Sequence, residues 1–288
     1  MDLKDRQENL HNKIKQKAEN CNLVRDDYYP IYDGAFYPDL YSCETNKVLW
    51  ILYEPYDTVK DDMPSGGDKS LNWWFEGDDG FHNKPKKMSR TYVRMVYSLY
   101  GIYYNCEYNE MPWFYEIVER GNKCHKNTLE KAALINLSKM PAWSTSSYSN
   151  VVNAYESYWK EIIQEQLDVY NPDIIIAGGK PAFAVLQELM LSNSCNGKGE
   201  SQDLRLITKY DFQSYPNRLR VLGESDFVDN YNSLVNGYIS TNGKIVLASY
   251  HPSYCGMKGL SHEAYADGIS RTVFKLQNIL VNKSFPVI

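Results

Sequence analysis

The sequence predicts a layered α/β domain built on a mainly parallel sheet. Three observations predict it: short, continuously apolar runs, helix-period stretches between them, and a Gly178-Gly179 turn joining one such run directly to a helix. Residues 3 to 18 place Leu3, Leu10, Ile14 and Ala18 on one stripe among charges, the pattern of an amphipathic helix. Lys47 to Glu54 is a continuous apolar run stopped by Pro55, which suits a central strand buried on both faces. Residues 57 to 80 are polar and glycine-rich around Trp73-Trp74-Phe75, a loop long enough to be functional.

Residues 88 to 104 repeat Tyr92, Met95, Leu99, Ile102 and Tyr103 at helical spacing, and a shorter helix near 113 to 120 precedes the strand Ala133 to Leu137. Asn150 to Tyr170 reads as one helix with Val151, Tyr155, Trp159, Ile162, Ile163 and Leu167 on one side, stopped by Asn171-Pro172. The strand Asp173 to Ala177 follows, then the glycine turn and a helix to about Leu191 with Pro181 in its tolerant first turn. Weaker strands are expected at 204 to 209 and 219 to 222, and a firm one at Lys244 to Tyr250. Ser261 is placed to cap a last helix in which Ala266, Ile269, Val273, Leu276 and Leu280 recur. Nothing in composition forces a split beyond an N-terminal helical appendage over 1–45 and a single α/β domain over 46–288.

Composition bounds the function classes. The 288 residues carry a net charge of −5, an acidic balance that does not advertise a polyanion binder. No apolar run approaches the ~20 residues of a bilayer crossing, and the first twenty residues are charged where a signal peptide is apolar. The expectation is a cytoplasmic protein with no membrane contact. The six cysteines form no Cys-x-x-Cys pair, so neither zinc ribbon nor iron–sulfur cluster is signalled, and no metal or cofactor is expected. The 25 tyrosines could serve a core, an interface or a base-stacking cleft, and composition does not choose.

Several motifs fall away on inspection. Gly237 to Lys244 has five residues between its glycines, no Ser or Thr after the lysine, and runs into a strand, unlike a phosphate loop. Gly178-Gly179 lacks the third glycine of a dinucleotide fingerprint. Three strand ends carry polar groups instead: Glu54 in Tyr53-Glu54-Pro55-Tyr56, Asn136 in Leu134-Ile135-Asn136-Leu137, and His251 in His251-Pro252-Ser253. Individually, an Asn in a strand more often satisfies backbone and a His before Pro more often shapes a turn. In a parallel sheet all three are expected at one edge, where ligands bind.

In that order these segments resemble the uracil-DNA glycosylase superfamily. Leu52-Tyr53-Glu54-Pro55-Tyr56-Asp57 is similar to the family's Gly-Gln-Asp-Pro-Tyr-His, Leu134-Ile135-Asn136 to its Leu-Leu-Asn, and His251-Pro252-Ser253 reproduces its His-Pro-Ser. The likeness covers roughly residues 46 to 285. It departs where Leu52 replaces glycine, where Glu54 replaces aspartate, and where Tyr254 to Lys258 lacks an obvious intercalating leucine. The resemblance implies a three-layer α/β/α sandwich and hydrolysis of the N-glycosidic bond of uracil or a related base in a flipped nucleotide.

By the same resemblance, Glu54 orients water or stabilises the cationic sugar, and neutral His251 donates to the anion developing on the base. Asn136 reads the pyrimidine edge, Tyr56 screens its C5 position, and one of Trp73, Trp74 or Phe75 stacks on it. Ser253 and Lys258 are candidate phosphate contacts. Charge distribution adds Lys86, Lys87 and Arg90, because residues 81 to 106 hold five bases and no acid. Against that, residues 54 to 79 hold eight acids and two bases, unfavourable for duplex DNA. The expected partner is therefore single- or double-stranded DNA or a nucleotide. The alternatives are the same fold acting on a free nucleotide, nucleoside or modified base, and a catalytically inactive nucleic-acid or protein-binding module.

Overall fold

A computed structural model describes residues 1–72, 90–106, 112, 128–142, 147–192, 205–206, 235–240, 242–253 and 262–282. In chain order the elements are α1 (Leu3–Asn20), β1 (Ile31–Tyr32), β2 (Gly34–Ala35), α2 (Pro38–Cys43), β3 (Val48–Leu52), β4 (Thr58–Lys60), β5 (Met63–Ser65), β6 (Lys69–Ser70) and α3 (Arg90–Tyr104). They continue with β7 (Ala133–Asn136), α4 (Tyr148–Ala154), a π-helical turn (Tyr155–Trp159), α5 (Lys160–Tyr170), β8 (Ile174–Gly178), α6 (Lys180–Ser192), β9 (Arg205–Leu206), β10 (Val235–Ile239), β11 (Ile245–Ser249) and α7 (His262–Asn282). The expected helix near 113 to 120, the strand at 219 to 222 and the Ser261 cap lie outside the described residues. Among the described residues no helix is long and apolar enough to cross a membrane.

Contacts divide the chain into two units, Met1–Lys87 with Glu130–Pro172, and Met88–Leu129 with Asp173–Ile288. In the first unit β3 and β7 pair in parallel, with Leu49 opposite Ala133 and Leu52 opposite Asn136. Every residue of both strands is buried, which explains why β3 and the Ala133–Ile135 part of β7 read as continuous apolar runs rather than alternating ones. β2 lies antiparallel on β7, with Gly34 opposite Leu134. Helix α1 packs against α2 and α5 through Leu10, Ile14 and Ala18, so residues 1–45 share this unit's core. Asp2 caps its start by accepting from Asp5 N–H at 2.8 Å. Gly34 is required where it stands, because its φ is +151° and a Cβ there would lie 2.0 Å from the Tyr170 hydroxyl.

The single helix expected over 150 to 170 is α4, the π turn and α5 in sequence. Tyr155 N–H donates toward the carbonyls of both Val151 and Val152 where the helix widens, and the π turn carries Tyr155 and Trp159, both buried, on the apolar stripe. Asn171 ends α5 in the left-handed region at φ 40°, as the Asn-Pro pair predicts.

In the second unit β8 and β11 are parallel, from Ile174 opposite Ile245 to Gly178 opposite Ser249. β10 pairs antiparallel with β11, from Val235 opposite Ser249 to Ile239 opposite Ile245, and β9 pairs antiparallel with β10. Gly237 therefore lies in a strand rather than in a phosphate loop. Gly179, at φ +108°, turns β8 into α6 while its N–H donates to Ser249 O at 2.7 Å. Helix α7 covers β10 and β11 and packs along α3. The protein is mixed α/β, with parallel strand pairs at the centre, antiparallel ones outside and helices around them, as the sequence predicts.

Gly237 sets how closely α7 approaches β10: a Cβ there would stand 2.6 Å from Thr272 Cγ2 and 2.8 Å from Leu276 Cδ1. Gly237→Val is expected to destabilise the protein by about 1–3 kcal/mol through overpacking, read as a lower urea midpoint at unchanged slope. A wild-type midpoint in the variant contradicts this packing.

Candidate functional site

The segment leaving β3 is stitched to the segment leaving β7. Leu137 N–H donates to Leu52 O at 3.0 Å, Ser138 N–H to Tyr53 O at 2.9 Å, and Ala142 N–H to Pro55 O at 2.9 Å. Glu54 sits half-buried on this paired backbone. Its charge reaches Tyr28, whose hydroxyl is pushed up chiefly by burial, then pulled down by Arg25 and raised again by Glu54. Tyr56, two residues on, is 48% exposed and so open to a ligand.

Beyond Tyr56 the acidic stretch is ordered by its own charges. Asp57, whose side chain is 7% exposed, pairs with Lys69 at 2.6 Å and accepts from Gly67 N–H at 2.9 Å. β4 and β5 form a hairpin whose two turn residues, Asp61 and Asp62, both take positive φ (51° and 54°), the primed geometry that matches strand twist. Both are exposed, which leaves two carboxylates at the tip.

Asn136 is 2% exposed and belongs to a buried polar cluster. Its backbone N–H donates to Asp33 Oδ2 at 2.6 Å, and its side-chain Nδ2 approaches the same oxygen at 3.4 Å. Lys139 Nζ meets both Asp33 carboxylate oxygens at 2.9 Å, Asn136 O at 2.7 Å and Gln166 Oε1 at 2.7 Å. Gln166 Nε2 returns a bond to Asp33 Oδ1 at 2.8 Å, and the His11 ring stands 3.2 Å from Asp33 O. Burial lowers the Lys139 pKa, opposed by the Asp33 charge and hydrogen bond. Burial likewise lowers that of His11.

Sequence reasoning missed Asp33, Lys139 and Gln166. The legible signal was Gln166, a polar residue on the stripe of Trp159, Ile162, Ile163 and Tyr170, where an amide must have a buried partner.

In the second unit His251 follows β11 and is half-buried. Ser253 N–H donates to its Nδ1 at 3.2 Å, and the Ser253 hydroxyl lies 2.7 Å from the same nitrogen. An Nδ1 that accepts from a backbone N–H carries no proton, which assigns the neutral ring's proton to Nε2. Burial pushes the imidazole down to about 4, so the ring is neutral at physiological pH. Arg90 Nη1 reaches Ser253 O at 3.5 Å.

The expected site residues thus fall into groups. Glu54, Tyr56 and Asn136 belong to the first unit, and Arg90, His251 and Ser253 come together in the second. Trp73, Trp74, Phe75, Lys86, Lys87 and Lys258 lie outside the described residues. Among the described residues no His, Cys, Asp or Glu group is arranged to hold a metal ion. No family model matches the chain, and no curated protein sequence matches it.

Two measurements test this geometry. Lys139→Met strands a buried carboxylate and is expected to cost about 3–5 kcal/mol, with Asp33→Asn in the same chain recovering much of the loss in a double-mutant cycle. Additive losses mean that the pair is not coupled. The second is the pH dependence of stability. The unfolded imidazole titrates near 6.5 and the folded one near 4, so the unfolded chain takes up its proton first as pH falls. Stability tied to the neutral ring is whole above 6.5 and drains away toward 4. His251→Gln is expected to flatten that part of the curve, and identical slopes in the two proteins remove the assignment.

Proposed function

We propose that the protein is an N-glycosidic-bond hydrolase of the uracil-DNA glycosylase type, removing uracil or a related base from a nucleotide in DNA. The observation that carries the reading is His251, a neutral imidazole at the end of a parallel strand with its proton on Nε2 and Nδ1 occupied by Ser253. As the bond breaks, its electron pair moves onto the base and the sugar becomes oxocarbenium-like. A fixed Nε2–H meets the developing negative charge without transferring a proton, and costs no reorganisation at that moment.

In the resembled family a carboxylate at the position of Glu54 serves the cationic sugar and orients the water that adds to its anomeric carbon, and Glu54 is the candidate for that role here. Tyr56, exposed beside it, screens the pyrimidine C5. Asn136 is the residue that the resemblance assigns to the base edge; it is 2% exposed with its amide 3.4 Å from Asp33, on a strand end whose backbone the lysine cluster holds still. Ser253 and Arg90 then serve first to set His251 and only secondarily to meet phosphate.

One observation favours a second substrate class. The exposed Asp61 and Asp62 at the hairpin tip repel a polyanion, so a free nucleotide or nucleoside suits this neighbourhood better than a duplex.

Abasic-site formation on uracil-containing single and double strands, followed across a range of salt, tests the reading. The wild type is expected to excise uracil, with His251→Gln and Glu54→Gln each slowing it by about 10²–10³-fold at unchanged fold. Base release from mononucleotides but from no polymer establishes the second class, and release from neither overturns the proposal.

A further inference from the structure

The backbone that carries His251 is clamped from both sides by two helices. Beyond β11 the carbonyls of the described backbone take donors from helix side chains. Tyr265 Oη of α7 donates to Tyr250 O at 2.7 Å, immediately before the histidine. Arg94 Nη1 of α3 donates to Pro252 O at 3.1 Å, immediately after it. The two donors also hold each other: the Arg94 guanidinium carbon stands 5.0 Å from the centroid of the Tyr265 ring, in cation–π range. Ser249 Oγ lies 3.2 Å from the same tyrosine hydroxyl, which ties the assembly to the last residue of the strand.

Neither residue is explained by packing alone. Arg94 is 2% exposed on a helix buried nearly all round, among Tyr92, Val93, Met95, Val96 and Leu99, and Tyr265 is 1% exposed. Burying a guanidinium is costly, and a leucine or methionine fills such a place more cheaply. What the arginine adds is a rigid donor long enough to reach the carbonyl beside His251.

We propose that Arg94 and Tyr265 are positioning residues that fix the His251 imidazole as a hydrogen-bond donor. This rests on the glycosylase reading only for its catalytic consequence, since the ring's state can be observed without any reaction. With the clamp intact, Ser253 N–H is held under Nδ1 and the proton stays on Nε2. With it loosened, the Pro252–Ser253 backbone relaxes, Nδ1 loses its fixed donor and the ring samples both tautomers.

The experiment uses the full chain in three variants, Arg94→Met, Arg94→Lys and Tyr265→Phe, with folding checked by circular dichroism and thermal melting. Nitrogen-15 spectra of His251, assigned by its loss in His251→Gln, are expected to show one pyridine-like and one pyrrole-like nitrogen in the wild type, and averaging of the two in Arg94→Met and Tyr265→Phe. Arg94→Lys, which keeps a donor, restores part of the wild-type pattern. On uracil-containing oligonucleotide, kcat falls by up to about 100-fold in Arg94→Met and Tyr265→Phe with KM nearly unchanged. Wild-type nitrogen signals in folded Tyr265→Phe and Arg94→Met overturn the proposal. If Arg94→Met does not fold, Tyr265→Phe decides alone, because it removes one hydroxyl and leaves the ring under the guanidinium. A wild type that excises no base defeats the glycosylase reading while leaving the spectroscopic outcome to judge the clamp.

Discussion

Lys139 and Asp33 meet at 2.9 Å with almost no exposed surface, and an ion pair so deep constrains everything around it. Neither charge is tolerable alone in a dry interior, so each must be delivered to the other by the fold. Asp33 lies between β1 and β2, Lys139 lies just past β7, Gln166 projects from α5, and His11 comes from α1. Four segments distant in sequence are thereby pinned at one point beside the C-terminal end of β7. The apolar strands β3 and β7 supply burial but little directional information, since aliphatic side chains pack in many registers. The polar cluster adds direction: Asn136 N–H can reach Asp33 in one register only.

The second unit solves a similar problem differently. Arg94, 2% exposed, donates to a backbone carbonyl and lies over an aromatic face. A guanidinium is planar and delocalised, so its edge can donate while its flat face stacks on a ring, which the Lys139 ammonium cannot do. In both units a long basic side chain closes off backbone that has just left a parallel strand. Strands of this kind end where sheet hydrogen bonding stops, and those freed carbonyls are what the buried cations satisfy.

Strands β3, β7, β8 and β11, and helices α1, α3, α6 and α7, were legible because burial on two faces or one stripe writes itself directly into residue order. Strand β10 was not legible: the sequence excluded a phosphate loop over 237 to 244 but did not announce the strand that pairs antiparallel with β11. Less visible was the partition of residues. The text of the chain runs 1 to 288, while the contacts join Glu130–Pro172 to the N-terminal segment and Met88–Leu129 to the C-terminal half. No local pattern encodes that interleaving, because it depends on which faces meet after collapse. The Asp33–Lys139 pair was hidden for a related reason. Lys139 looks like any loop lysine in Leu137-Ser138-Lys139-Met140, and only its spatial partners make it structural. The tyrosine excess resolves in part: Tyr41, Tyr155 and Tyr170 are core, and Tyr265 is a donor at the His251 segment.

Ser253 bears most directly on chemistry. Its N–H and hydroxyl both face His251 Nδ1, two residues back across a proline. That short range is why the tripeptide carries information that a lone histidine does not: Pro252 restricts the backbone, Ser253 presents its N–H, and the ring's tautomer follows from the two. Protonation of Nδ1 would lose the backbone bond and charge a ring whose burial already disfavours charge. Both effects act in the same direction, so the imidazole is held neutral by geometry as well as by desolvation. A group held neutral in this way is unsuited to trapping an anion by charge. It is suited to donating one directed hydrogen bond from Nε2, the property on which the proposed role of this strand end rests.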